Sequence, residues 1–96
     1  MNRYKTWIEI NKKSVEQNYK TFRSILAPKT DLWSVVKSNA YGHGLAVFSQ
    51  LASQLGVDGF CVDSVTEGEK LRLIGIKKPI LVLGPTLKDS LKLAAD

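Results

Sequence analysis

At 96 residues the chain has room for one domain at most. Its 44% hydrophobic and 24% charged content is the balance of a soluble globular chain, and no apolar run approaches the ~20 residues that a membrane span needs. One cysteine, Cys61, excludes an intrachain disulfide and a cysteine-rich metal site and leaves a reducing, cytoplasmic setting as the default. The charged N-terminus, Met1 to Trp7, leads into no long apolar stretch, so no signal peptide is expected.

The net charge of +5 is carried by the first 29 residues, which hold seven basic side chains against Glu9 and Glu16. Lys13, Glu16, Lys20 and Arg23, spaced by three and four, form one stripe on a helix. A solvated helix face is the favoured reading, and a nucleic-acid surface the weaker one.

Thr6-Trp7-Ile8-Glu9-Ile10, β-branched and aromatic, predicts a first strand. Ser14-Val15-Glu16-Gln17 has the form of a capping box, and Val15, Tyr19, Phe22 and Leu26 then recur at helical spacing until Pro28. Leu32 to Lys37 predicts a second strand, apolar on both faces as in a covered parallel sheet. Ser38 to Gly44 reads as a glycine-bearing loop. A helix follows, with Leu45, Phe48, Leu51, Ala52 and Leu55 on one face and Gly56 as its stop.

Gly59 to Val62 is the third strand, and Ser64-Val65-Thr66-Glu67 caps a helix ending near Gly75. Pro79 to Leu83 is the fourth strand, and a last helix covers Leu87 to Ala95. The steps between inner strands, 27 and 21 residues, each leave room for one crossover helix. The pattern is α/β, a parallel sheet with right-handed crossovers. Three such units do not close, and an eight-unit barrel takes about 250 residues. The chain is therefore expected to be a piece of a longer architecture, with a small open sheet as the alternative.

Chemistry concentrates in Val35-Val36-Lys37-Ser38-Asn39-Ala40-Tyr41-Gly42-His43-Gly44. Lys37 ends a strand at its C-terminal edge, where active sites of parallel α/β sheets gather. A lysine in an apolar setting is costly to keep charged, and a neutral amine is a nucleophile that forms an imine with an aldehyde cofactor. Gly42 and Gly44 let backbone amides approach an anion, and the helix that starts there offers its free N–H groups. Tyr41 brings a phenol to the same edge. A phosphorylated aldehyde such as pyridoxal phosphate fits this set. The glycines form neither a dinucleotide fingerprint nor a P-loop. His43, lacking a second histidine, reads as a local hydrogen-bonder, Cys61 as a small buried residue, and Asp63 and Glu67 as turn and cap residues.

Thr6 to Ile10, the decapeptide Val35 to Gly44, and Pro79 to Gly84 together resemble the N-terminal part of alanine racemases, pyridoxal-phosphate enzymes of the barrel type. The resemblance runs in order from about Lys5 to Thr86. It implies a partial (β/α)8 TIM barrel, its first three βα units preceded by a short N-terminal strand. Residues 1–11 would pair with an absent C-terminal β domain, and residues 12–96 would be the truncated start of the barrel.

On this resemblance Lys37 falls on the lysine that carries pyridoxal 5'-phosphate as an internal aldimine and acts as one of two catalytic bases. Tyr41 falls on the tyrosine that bonds the cofactor phosphate, and Val35 and Leu83 on apolar pocket positions. No metal is implied. The implied reaction interconverts L- and D-alanine, supplying D-alanine for peptidoglycan, in a cytoplasmic homodimer that binds neither nucleic acid nor membrane. The second base and the partner of the pyridine nitrogen would lie past Asp96. The 96-residue chain alone is expected to be inactive and to self-associate through its sheet edges. A serine or broad-specificity racemase, or a non-catalytic interaction fragment, are the alternatives.

Overall fold

Helix α1 (Lys12–Ile25) is capped by Asn11, whose Oδ1 accepts the Ser14 N–H at 3.0 Å. The Ser14 box therefore does not form, because a strong N-cap residue three positions earlier takes its place. The computed structural model describes residues 3–96. Met1 and Asn2, part of the expected 1–11 segment, lie outside the described residues. Thr6 to Ile10 form no strand among the described residues. A segment of strand composition becomes a strand only when a partner takes its hydrogen bonds, and among the described residues no ladder includes this one.

Three strands, β1 (Trp33–Val35), β2 (Gly59–Val62) and β3 (Ile80–Val82), form one parallel sheet in that order. β1 is shorter than the expected Leu32–Lys37. Its ladder is extended at both ends by Asp58 N–H to Leu32 and Val36 N–H to Cys61, and the chain then leaves the sheet at Lys37. β3 is extended likewise by Phe60 N–H to Pro79 and Leu83 N–H to Val62. The crossovers are α3 (Leu45–Leu55) between β1 and β2, and α4 (Val65–Leu73) between β2 and β3. Gly56 ends α3 in the left-handed region at φ 96°, as its position predicts. Ser64 caps α4 by accepting the Glu67 N–H.

Alternation divides the sheet. Val36, Phe60 and Val62 are buried on the face covered by helices, against Leu45, Ala52, Leu71 and Ile76. On the opposite face Val35, Cys61 and Leu81 stand in one cross-strand row. This face is open, with Val35 40% and Leu81 51% exposed, so β1 is covered on one side and not on both. Cys61 in the middle of the row is buried. Where a last helix was expected over Leu87–Ala95, a 3-10 turn at Lys88–Ser90 leads into a short α5 (Leu91–Ala95) with no buried residue.

The basic stripe on α1 is only partly solvated. Lys20 pairs with Glu16 at 2.9 Å on the surface. Arg23 instead turns inward to Asp58, the Tyr19 hydroxyl and the Thr30 and Gly56 carbonyls, tying α1 to the turn before β2. Phe22, expected on the packed face, is 55% exposed.

Candidate active site

The segment from Lys37 to Tyr41 (α2) is a left-handed helical turn rather than an irregular loop. Ser38, Asn39 and Ala40 have φ of 54°, 57° and 55° with ψ of 47°, 41° and 45°, and Tyr41 has φ 54°. For L-residues this conformation costs about 1–2 kcal/mol each, with asparagine the best tolerated. Such a run persists only where its surroundings over-determine it. Here the Ala40 methyl is buried in the core. Ala40 N–H donates to Val36 at 2.8 Å, and Gly42 and Gly44 N–H donate to Asn39 at 3.1 and 3.0 Å. The Asn39 side chain accepts the Leu45 N–H at 2.8 Å and so caps α3. His43 is the local hydrogen-bonder expected of it, with Nδ1 2.9 Å from the Ala40 carbonyl. The sequence reading missed the turn because Ser-Asn-Ala-Tyr contains no glycine; Asn39 was its one local sign.

The turn begins at Lys37, one residue after the β1 ladder ends, at the carboxyl edge of the sheet. The Lys37 side chain is half-buried rather than sealed among apolar groups. Its amine makes no hydrogen bond or ion pair with the described residues. Tyr41, at the far end of the turn, is 60% exposed. Val35 lies on the open face of the sheet two residues before Lys37. Leu83, 50% exposed, follows β3 two residues after Leu81. The four positions named from the sequence thus share the carboxyl edge, Lys37 and Tyr41 joined by one turn and Val35 and Leu83 on flanking strands.

A phosphorylated aldehyde suits this donor set. It needs a free amine, hydrogen-bond donors for its phosphate and an apolar wall for its ring. Lys37, Tyr41 with the start of α3, and Val35 with Leu83 are the groups that would supply these. Gly42 and Gly44 have φ of 91° and 98°, and a Cβ on either would meet nothing within 4 Å, so backbone lies open there to an anion. A cleft of about 440 Å³ between α1 and α3, walled by Tyr19, Trp33, Phe48 and Leu55, lies at the β1 edge and includes none of these residues.

The three strand ends are laced together at this edge. Glu67, at the third position of α4, accepts the Ser38 N–H at 2.9 Å and the Asp63 N–H at 2.8 Å. Asp63 in turn accepts the Gly84 N–H at 3.0 Å. Glu67 is thus more than the cap residue its capping box announced.

Residues 10–96 match the family model described as alanine racemase, N-terminal domain. The chain belongs to the alanine racemase N-terminal domain family. It is 44% identical over 91 residues to the alanine racemase of Listeria innocua, covering 94% of this chain and 25% of that protein. The crystal structure of alanine racemase from E. faecalis superposes with a TM-score of 0.82 at 33% identity, over 88% of this chain and 23% of that one. A histidine racemase from Leuconostoc mesenteroides is similar at TM-score 0.79 and 32% identity, over 88% and 22% of the two chains. The chain spans about a quarter of the length of the curated relatives it matches. Alanine racemase N-terminal domains thus account for its three parallel strands as part of a barrel.

Proposed function

We propose that this chain supplies the lysine-bearing portion of a pyridoxal-phosphate-dependent alanine racemase. The observation that carries the reading is the position of Lys37, whose amine has no partner among the described residues, at the carboxyl edge of β1. It leads directly into a left-handed turn that ends in open glycine backbone. Lys37 would hold the cofactor through Nζ, and Tyr41 Oη with the first amides of α3 would receive its phosphate. Val35 and Leu83 would flank its ring and exclude water. Pyridoxal phosphate, when bound, supplies an electron sink for the pair left on the substrate α-carbon. Lys37 Nζ would take or return the α-proton on one face, and a group outside this sequence would serve the other.

The same reading makes residues 1–11 a segment that pairs with another domain and residues 12–96 the start of the barrel. The setting would be cytoplasmic, the whole enzyme a homodimer, and its role the supply of D-alanine for peptidoglycan. Among the described residues no helix is long and apolar enough to cross a membrane. With one base and a quarter of the relatives' length, the 96-residue chain by itself would not racemise alanine.

The test is reductive trapping. Pyridoxal phosphate followed by borohydride should fix a pyridoxyl mass on Lys37 in preference to the other ten lysines, and Lys37→Ala should abolish that label. Label spread evenly over the lysines would sink the reading. An assay with both alanine enantiomers should show no turnover by the chain alone, and Lys37-dependent turnover would overturn that part.

A further inference from the structure

We propose that Glu67 is a positioning residue for Lys37: its carboxylate holds the left-handed turn in the orientation that presents the lysine at the carboxyl edge. The inference rests on the cofactor reading above and deepens it.

In a capping box the carboxylate at the third helical position returns to the N–H of its own cap residue. Glu67 does not do this. One oxygen takes the Asp63 N–H, a residue earlier than the box requires, and the other takes the Ser38 N–H, 29 residues away. Ser64 still caps the helix through Glu67 N–H, so α4 has its cap without the carboxylate. The Glu67 oxygens are spent on other elements.

What they hold is the point of greatest leverage. Ser38 is the first residue of the left-handed run and follows Lys37 directly. The first N–H groups of a helical turn lack partners within the turn. Among the described residues, the other hydrogen bonds of residues 37–44 join groups within eight residues of each other. Among the described residues the Glu67 contact is therefore the long-range hydrogen bond that anchors the turn to the next βα unit. Loss of it would free Ser38, let the turn relax toward right-handed or extended backbone, and swing Lys37 with it. Asp63, the other group held, accepts from Gly84. One carboxylate thus links the chain just past β1 and β2, and through Asp63 just past β3, where the cofactor would sit.

The experiment compares the 96-residue chain with Glu67→Gln, Glu67→Ala and Ser64→Ala. Glu67→Gln keeps the side-chain shape, but its one accepting oxygen is uncharged and divided between the two N–H groups, so the bond to Ser38 is weakened even where it persists. Ser64→Ala weakens α4 without touching Ser38. Amide hydrogen exchange reads the clamp at Ser38, and pyridoxal phosphate with borohydride reads the share of label on Lys37. Glu67→Gln and Glu67→Ala should speed Ser38 exchange and lower the Lys37 share, each by about tenfold, the scale of one hydrogen bond to a charged group. Ser64→Ala should lower the melting temperature with the Lys37 share unchanged.

Ser38 protection that survives both Glu67 substitutions would overturn the clamp. A Lys37 share that falls equally in Ser64→Ala would reduce Glu67 to a merely structural residue and overturn the inference. An unsubstituted chain with no preference for Lys37 would sink the cofactor reading and this inference with it. Glu67→Gln decides the matter should Glu67→Ala not fold.

Discussion

The Trp33 indole lies across Gly59 on the neighbouring strand, so closely that a Cβ on Gly59 would stand 2.6 Å from the ring. The two residues are in register on the open face of the sheet. Gly59→Ala should therefore destabilise the chain by about 1–3 kcal/mol, the usual cost of overpacking. Trp33→Val should recover most of the loss in the double variant, read by urea unfolding. Gly84→Ala meets the Asp63 backbone carbonyl instead, which cannot rotate aside. It should cost more than Gly59→Ala, and Trp33→Val should not recover it.

The left-handed turn makes Ser38 a residue that glycine should improve. Relief of the positive-φ penalty exceeds the entropy that glycine loses on folding, so Ser38→Gly should stabilise by roughly 0.5–1 kcal/mol. Ser38→Val, β-branched in the same conformation, should destabilise by about 1–2 kcal/mol. Equal unfolding midpoints for the two variants would show that the turn is not left-handed in solution.

Asp58 predicts an acid limit. The Leu32 backbone N–H and then Arg23 hold its carboxyl below the ordinary value near 3.8. A folded-state value below the unfolded one means that the unfolded chain binds more protons across that window. The stabilisation is present in full above the unfolded value of about 4 and is lost as pH falls through the folded one. Asp58→Asn should melt lower at neutral pH and show a shallower loss of stability on acidification. A variant with an unchanged acid profile would remove Asp58 from the account.

Tyr41 tests the phosphate end of the site. Tyr41→Phe should weaken retention of pyridoxal phosphate by about tenfold, the scale of one hydrogen bond to an anion, measured by equilibrium dialysis. Binding of pyridoxal, which lacks the phosphate, should be unchanged. A parallel loss of both ligands would place Tyr41 elsewhere than at the phosphate.

The open face carries Val35, Leu81 and Leu83, all between 40% and 51% exposed. Beside it run the outer edges of β1 and β3, which have no partner strand among the described residues. Sedimentation should show association that grows with concentration. A cooperatively folding monomer at all concentrations would contradict this.

Much of the architecture was legible because its causes are local. Ser64 caps α4 and Gly56 ends α3, each for reasons contained within a few residues. The decapeptide from Val35 to Gly44 marks the candidate site by its residue types alone. The Ser14 box failed on equally local grounds, since Asn11 was an alternative cap three residues upstream.

Other features were decided by partners far along the chain. Arg23 looked like part of a solvated stripe until Asp58, 35 residues away, drew it inward. Thr6–Ile10 has strand composition but no ladder, because strand formation depends on a neighbour. The amino-acid order alone determined which residues could do chemistry and roughly where the helices and strands would fall. Only the tertiary structure decided that Ser38 to Tyr41 wind left-handed. That conformation is locally unfavourable, and it is held by contacts no local pattern reveals: a buried Ala40 methyl and a carboxylate on the next βα unit.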